Sequence, residues 1–299
     1  MNEVDQAGPH TRATLAEQLR RLGVRAGGTL LVHSAMRPMG WVCGGPQAVV
    51  LALRDVLGAD GTLVVPTHTP GNSDPETWTN PPVPRHWWET IREQMPGFDP
   101  AVTPSRWMGA VAETVRTWPG ALRSDHPQVS FAALGRSAEE IVADHPLTGM
   151  LGDESPLARL YARDAQVLLL GVGHDSNTSL HLAEYRVPEP PLERAGAAVR
   201  RADGGSRWVW WRDVVLDASD FDRLGADFES KGGVVTGPVG GAVCRLMDQP
   251  AVVDFAVDWM VRNRGAAGRG PGAAAATAGE SGRAETDGGS GRRGSGESA

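Results

Sequence analysis

Cysteine is scarce in this sequence, and long apolar runs are missing. Cys43 and Cys244 are the only cysteines among 299 residues and form no CxxC pattern, so neither a disulfide framework nor a thiolate zinc site is expected. No window approaches the roughly 18 consecutive apolar residues of a membrane helix, and the N-terminus lacks the basic and apolar segments of a secretory signal. We therefore expect a soluble cytoplasmic protein with no membrane partner.

Lysine is almost absent, and two common catalytic motifs are missing altogether. Lys231 is the sole lysine and stands outside any GxxxxGK[ST] sequence, which excludes a P-loop NTPase. No GxSxG sequence is present, which removes the commonest form of α/β-hydrolase. The 29 basic residues against 36 acidic ones give a formal net charge of −7. A negative surface disfavours nucleic acid as a partner and favours cations.

Both ends of the chain differ in composition from its middle. Residues 265–299 contain no aromatic and no large aliphatic side chain, so they bury too little apolar surface to offset their conformational entropy. We predict a flexible arm over 1–11, one folded domain over 12–264 and a disordered tail over 265–299.

Apolar periodicity inside the domain alternates between helix and strand. It predicts helices over 14–22, 46–57 and 178–186, and strands over 29–33, 62–66 and 166–172. This order predicts an α/β fold with a largely parallel central sheet flanked by helices. The alternation at Ser206–Trp210 predicts a half-buried strand in an antiparallel portion added toward the C-terminus.

Several polar side chains follow the ends of the predicted strands. His33, His68, Asp175 and His181 lie there, and ligands of open α/β sheets bind outside the carboxyl ends of the strands. His181 and Glu184 are three residues apart, so a helix presents both on one face. A carboxylate beside an imidazole fixes its tautomer and favours a general base. The alternative from spacing alone is a buried structural histidine beside a solvated glutamate.

Other chemistries remain open at this stage. The turn 171–176 resembles the dinucleotide motif GxGxxG with its last glycine replaced, although a simple strand-to-helix turn explains it equally. The four side chains at the strand ends would suit a metal-dependent hydrolase, but no HxH or HExxH spacing supports one. A non-catalytic binder of a cationic compound would need an acidic cleft but not the imidazole.

Five longer motifs carry a resemblance to a known family. They are LVHS at 31–34, GWVCGG at 40–45, VPTHT at 65–69, SDHP at 124–127 and GVGHDSNTSLHLAEYR at 171–186. From about residue 14 to 262 the chain resembles the aminoglycoside 3-N-acetyltransferases. The resemblance implies an acetyl-CoA enzyme, unrelated to the GNAT acetyltransferases, that acetylates the 3-amino group of a 2-deoxystreptamine ring. Ala35 stands where the family usually carries a second serine, which removes a hydroxyl but keeps the backbone donor.

The resemblance also implies which residues form the site. The catalytic group comprises His181 as the base, Glu184 as its partner, and Asp175 and His126 as further members. The acetyl-CoA group comprises His33, Ser34, Ala35, Met36, Thr67, Thr103, Ser105, Arg106, Met108 and Gly109. Backbone N–H groups around Ser34 to Met36 are the expected donors to the thioester oxygen. No metal is expected.

A polycationic aminoglycoside calls for anionic groups around it. The chain has an acidic surplus over 211–230 and more acids in the long Pro- and Trp-rich segment 67–104. The predicted substrate-binding residues are His68, Asp74, Glu76, Trp78, Asp213 and Glu229. The alternative for each acid is a solvated face, and for Trp78 a role in fixing the long segment.

Overall fold

The structure, a computed structural model, describes residues 8–264. The predicted tail over 265–299 lies outside the described residues, as does most of the predicted arm. Within the arm, the N–H of His10 donates to the carbonyl of Trp41 at 3.1 Å, and the carbonyl of His10 accepts from the N–H of Cys43 at 2.8 Å. The chain is therefore already held at His10, two residues before the predicted start of the domain.

Helices and strands alternate through most of the described chain. The helices within residues 8–264 are α1 Arg12–Leu22, α2 Gly45–Leu57, α3 Trp88–Gln94, α4 Gly109–Arg116, α5 Ala138–Val142, α6 Pro156–Tyr161, α7 Ser179–Arg186, α8 Phe221–Ser230 and α9 Gln249–Arg264. The strands are β1 Thr29–Ser34, β2 Thr62–Pro66, β3 Leu122–Arg123, β4 Phe131–Gly135, β5 Gln166–Leu170, β6 Leu192–Arg200, β7 Ser206–Val214, β8 Val235–Val239 and β9 Ala242–Asp248.

Seven strands form one mixed sheet in the order β3-β4-β2-β1-β5-β9-β8. The three central strands β2, β1 and β5 are parallel, and the strands outside them pair antiparallel. The predicted α/β class is confirmed, as is the antiparallel portion toward the C-terminus. The antiparallel pair β3–β4 at the other edge was not predicted.

The central strands are buried on both faces, which explains why they are continuous apolar runs rather than alternating ones. In β1, Leu30 and Val32 point into the core beneath α1, α2 and α4, whereas Leu31 points into the core beneath α5 to α9. Each such side chain contributes about 1.5–3 kcal/mol when fully buried. This three-layer packing fixes the carboxyl ends of β1 and β5 side by side.

The first helix begins two residues before its predicted start because of a capping box. The hydroxyl of Thr11 accepts from the N–H of Thr14, and the hydroxyl of Thr14 accepts from the N–H of Thr11. These reciprocal bonds satisfy two of the backbone donors that a helix start leaves unpaired. A boundary of this kind depends on side-chain hydrogen bonds, which apolar periodicity does not detect.

The predicted strand at 206–210 forms the first half of β7, which is the second strand of a longer β-hairpin. Strands β6 and β7 pair antiparallel as a separate two-stranded sheet. Asn72, in the long segment after β2, forms two hydrogen bonds with Ala198 of β6. Its amide N donates to the carbonyl of Ala198, and its amide O accepts from the N–H of Ala198, each at 2.9 Å. The hairpin and the long segment therefore pack together at one end of the central sheet.

Candidate active site

The centre of the site is a histidine–glutamate pair on α7. The side chains of His181 and Glu184 meet as the spacing predicts, with Nδ1 at 2.7 Å from Oε2. The imidazole also packs on the ring of Phe221, with 4.8 Å between the ring centroids. Because Nδ1–H donates to the carboxylate, Nε2 is left with the lone pair that a general base requires. Nε2 bonds no side chain or backbone group within residues 8–264.

Glu184 is buried, so the alternative of a solvated glutamate on the helix surface is wrong. It is only 2% exposed. Its Oε1 accepts from the backbone N–H of Asp217 at 3.0 Å and from the guanidinium of Arg264 at 2.6 Å. Sequence reasoning missed Arg264, which is 80 positions from Glu184 and has no local signal beyond a basic residue in the last turn of a helix.

Two further histidines lie near the pair at the ends of the central strands. His33, in β1, is buried, and His68 follows β2 and is half-buried. In each ring Nε2 is buried with no hydrogen-bond partner among the described residues. Burial first, and then the charge of nearby His181, lowers the pKa of both rings to about 3. The site therefore holds two neutral imidazoles with an unused ring nitrogen, and such orphaned atoms often mark a ligand contact.

His126 is placed differently from its predicted catalytic role. Its Nδ1 accepts from the N–H groups of Gln128 at 3.1 Å and Val129 at 3.0 Å, and Nε2 lies 3.4 Å from the carbonyl of Leu147. The ring is fully buried and stacks on His145, with 4.7 Å between centroids. Both nitrogens are bonded inside the fold, and the ring holds the turn at 126–129. The catalytic role of His126 stays a prediction.

The buried histidines make stability depend on pH. Burial lowers the pKa of His145 to about 4 and that of His126 well below its ordinary value, as it does for His33 and His68. In the unfolded chain these groups take up protons below about pH 6.5. The folded chain does not, so the free energy of unfolding falls as pH drops from about 6.5 toward about 4. Each histidine contributes up to about 1.4 kcal/mol per pH unit.

Urea unfolding across this range measures the effect. In His126→Asn the amide oxygen still accepts from the N–H groups two and three residues on, while one titrating group is lost. We expect a shallower pH dependence than in the wild type. The exposed His86→Gln is the matched control and leaves the slope unchanged. A wild-type stability that is flat between about pH 6.5 and about 4.5 would contradict the interpretation.

The turn after β1 lies beside the start of α4. The N–H of Ala35 donates to the carbonyl of Leu170 at 3.0 Å, so this donor is already bonded within the fold. The N–H of Met36 has no acceptor within residues 8–264. Gly109 begins α4 with φ 83°, and a Cβ there would lie 3.0 Å from the carbonyl oxygen of Ser34. Glycine therefore lets the helix start approach this turn closely.

The other predicted acetyl-CoA residues are largely bonded to the fold. The hydroxyl of Thr67 accepts from the guanidinium of Arg123 at 3.1 Å, and that of Thr103 accepts from the N–H of Asp99 at 3.0 Å. The hydroxyl of Ser105 donates to Glu113 at 2.7 Å. These side chains therefore help to order the loops around the turn, and their contacts with acetyl-CoA stay predictions.

Arg106 and Met108 flank a tryptophan in a strained conformation. The backbone N–H of Arg106 donates to the carbonyl of His68 at 3.0 Å, and its guanidinium lies 5.7 Å from the ring centre of Trp107. Trp107 is exposed and has φ 64°, a left-handed conformation that is rare for a bulky residue. Met108 packs against the core beneath α4. Strain of this kind concentrates at ligand-binding segments.

The acids predicted in the long segment already have a cation. Asp74 is buried and accepts from the guanidinium of Arg92 at 2.5 Å, and Glu76 lies 3.8 Å from the same guanidinium. The indole N–H of Trp78 donates to the hydroxyl of Ser73 at 2.9 Å. Asp74 is thus paired within the fold, and Trp78 helps to fix the segment, but the binding roles of both residues stay predictions.

Two further predicted acids are also held by the fold. Asp213 is buried and accepts from the hydroxyl of Tyr185 at 2.8 Å and from the N–H of Met150 at 3.1 Å. Glu229 lies 2.9 Å from Nε2 of His174 and pairs with Arg245. Both carboxylates thus contribute to the fold, and their predicted contacts with the substrate stay predictions.

Three other carboxylates hold no ion pair within residues 8–264. Asp175, in the turn after β5, is exposed, and only its backbone N–H reaches another acid, Asp222, at 3.0 Å. Asp217 lies close enough to His181 that the charge of the imidazole helps to lower the pKa of the carboxyl. Glu193 pairs in register with Asp213 across the hairpin, and burial together with that neighbour raises the pKa of Glu193. Sequence reasoning missed Glu193.

Neither of two surface cavities borders His181. One of about 630 Å³ lies between α2 and α4, and one of about 470 Å³ lies beside β3. Within the described part of the chain, His, Cys, Asp and Glu side chains form no group of three that could hold a metal ion. No helix between residues 8 and 264 is both long and apolar enough to cross a membrane.

Comparison with known families gives a match over most of the chain. The family model described as aminoglycoside 3-N-acetyltransferase matches residues 31–261. The chain is 42% identical over 256 residues to the SPbeta prophage-derived aminoglycoside N(3')-acetyltransferase-like protein YokD of Bacillus subtilis (strain 168), covering 85% of this chain and 94% of that protein. It is 38% identical over 278 residues to aminoglycoside N(3)-acetyltransferase VIII of Streptomyces fradiae, covering 88% and 96%.

Solved structures show the same fold. The crystal structure of YokD superposes with a TM-score of 0.85 at 40% identity, covering 88% of this chain and 98% of that one. The binary complex of AAC-IIIb with CoASH gives a TM-score of 0.76 at 31% identity, covering 85% and 97%. The structure of AAC-VIa bound to sisomicin gives 0.77 at 33% identity, covering 87% and 100%.

Proposed function

The chain belongs to the aminoglycoside 3-N-acetyltransferase family, and we propose that it transfers the acetyl group of acetyl-CoA to the 3-amino group of the 2-deoxystreptamine ring of an aminoglycoside, which inactivates the antibiotic. The single observation that carries the proposal is the 2.7 Å contact between His181 Nδ1 and Glu184 at the ends of the parallel strands. Relatives named for this activity and a neighbour bound to CoASH support the substrates.

His181 acts as the general base. The amine of an aminoglycoside is mostly protonated at neutral pH and attacks a thioester only after it loses a proton. Glu184 holds Nδ1–H of the imidazole, so Nε2 takes the proton of the amine. The nitrogen then bonds to the carbonyl carbon, the carbon–sulfur bond breaks, and coenzyme A leaves as a thiolate that is protonated to the thiol.

Fixed donors stabilise the negative charge that develops on the thioester oxygen. Met36 offers a backbone N–H without an acceptor, and His33 and His68 each offer an unpaired Nε2. A neutral imidazole donates one N–H without adding a positive charge next to the ammonium substrate.

The acceptor's other ammonium groups meet three carboxylates that hold no ion pair among the described residues, Asp175, Asp217 and Glu193. Asp217 and Glu193 extend the substrate-binding set predicted from the sequence, and Asp175 was predicted there as a catalytic residue. Unpaired carboxylates near a cleft raise the local concentration of a polycation. No observation favours the metal-dependent hydrolase, and the non-catalytic binder does not account for the hydrogen-bonded imidazole.

Release of coenzyme A thiol tests the proposal. The purified chain is mixed with acetyl-CoA and a panel of 2-deoxystreptamine aminoglycosides, with chelator present in a parallel arm. We expect thiol release that requires the aminoglycoside and is unaffected by the chelator. Thiol release without an acceptor would indicate hydrolysis of the thioester. Calorimetric binding of an aminoglycoside without any thiol release would indicate the binder.

A further inference from the structure

Arg264, the last residue of α9, reaches the catalytic pair from the far end of the described chain. Its Nη1 donates to Oε1 of Glu184 at 2.6 Å. Its other donors go to the carboxylate of Asp220, at 2.5 and 3.0 Å, and to the carbonyl of Asp217 at 2.6 Å. The guanidinium is thus fixed on three partners, and its fork geometry matches this bidentate contact.

Glu184 divides its two oxygens between an imidazole and a guanidinium. Oε2 accepts from His181, whereas Oε1 accepts from Arg264 and from a backbone N–H. A carboxylate that is 2% exposed needs a positive partner to stay ionised. If His181 were the only group that could supply this positive charge, the buried carboxylate would favour a protonated imidazole. A protonated imidazole cannot act as a base.

We propose that Arg264 is a positioning residue of the acetyl-transfer site: it orients Glu184 and supplies the fixed positive charge that lets this carboxylate stay ionised beside a neutral His181. The inference rests on the proposed function of His181 as the base. It also makes the end of α9 a part of the active site rather than a packing element alone. When His181 accepts the amine proton, Glu184 stabilises the imidazolium that forms.

The charges around His181 are consistent with this role. Glu184 faces it on α7, His33 on β1, His68 after β2, Asp217 before α8 and Arg264 at the end of α9. Burial alone would lower the pKa of Arg264, but its hydrogen bonds to Asp220 and Glu184 raise it, so the guanidinium stays charged. The two other histidines are neutral above about pH 4 because burial lowers their pKa to about 3. Arg264 is therefore the one cation in this set that offsets Glu184 at neutral pH.

The pH profile of kcat/KM tests the proposal. In Arg264→Met we expect the rising acidic limb to move to higher pH by about 1 unit, since a unit charge a few ångströms away contributes a few kcal/mol at most at an effective dielectric of about 20. Activity then falls about tenfold at pH values on the limb and recovers at high pH. Arg264→Lys keeps the charge and restores the limb in part. Arg262→Met, on the exposed side of the same helix end, is the matched control and leaves the profile unchanged.

A merely structural role predicts a different pattern. If Arg264 only packs α9, Arg264→Met loses activity by the same factor at every pH and its acidic limb stays at the wild-type position. That result overturns the proposal, as does an Arg264→Lys limb displaced as far as that of Arg264→Met. Thermal unfolding of each variant at the assay pH identifies the fraction that is folded. Failure of the proposed function is distinguishable, because then the wild type itself shows no aminoglycoside-dependent thiol release, or His181→Ala retains it.

Discussion

His181→Ala is expected to lower kcat by about 10²–10⁴-fold, the usual contribution of a positioned general base. The imidazole is the only group that combines a position at the strand ends, a carboxylate on Nδ1 and an Nε2 that bonds nothing in the described chain. Removal of the ring leaves the backbone donors and the carboxylates in place. Calorimetric affinities for the aminoglycoside and for coenzyme A are therefore expected to stay within a fewfold of the wild type.

The exposed His86→Ala is the control for this experiment and is expected to keep full activity. A His181→Ala variant with near-normal kcat would remove the base from the account. A variant that has lost both turnover and binding would indicate a structural role for the ring, which packs on Phe221. The wild-type pH profile of kcat/KM should show a rising acidic limb, because the base must lose its proton before it can act, and this limb should be absent from any residual activity of the variant.

Gly225→Ala is expected to destabilise the fold by about 1–3 kcal/mol, the usual cost of overpacking a core. In the middle of a helix, alanine is favoured over glycine by about 1 kcal/mol, so helix propensity alone predicts that the substitution raises the free energy of unfolding. Packing decides otherwise: a Cβ at Gly225 would lie 2.0–2.4 Å from three ring atoms of His174. That ring is 4% exposed and is fixed by Glu229 at 2.9 Å, so it has no space to retreat.

Thermal unfolding measures this effect, at about 2–4 °C per kcal/mol for a domain of this size. Ala226→Gly, at the neighbouring exposed position, is the control and should show the propensity term alone. In a His174→Ala background the added methyl has room, so Gly225→Ala should then be neutral or stabilising, which a double-mutant cycle detects. Activity should fall with stability, because the His174–Ser176 turn carries Asp175. A Gly225→Ala variant more stable than the wild type would contradict the packing argument.

The sequence predicted the central sheet because its three parallel strands are buried on both faces. Runs such as residues 29–33 and 62–66 contain hardly any polar side chain, so both the strands and their parallel pairing follow from composition and spacing. The edge pair β3–β4 was missed because β3 has two residues and β4 ends in glycine. Short edge strands carry little periodicity, and their pairing is decided by tertiary contacts.

The same contrast holds at the site. His181 and Glu184 are three residues apart, so a helix is sufficient to bring them together. Whether a carboxylate forms an ion pair depends on cationic residues that are distant in sequence. Asp74 pairs with Arg92, and Glu184 pairs with Arg264. A local surplus of acidic residues therefore does not reveal which carboxylates keep an ion pair.

The position of the acetyl group on the product tests the central claim most directly. One 2-deoxystreptamine aminoglycoside is incubated with acetyl-CoA and the full chain, and the product is examined by NMR. The account predicts a single product acetylated on the 3-amino nitrogen, formed by the wild type and lost in His181→Ala. An acetyl group on another nitrogen or on a hydroxyl, or no acetylated product at all, would contradict it.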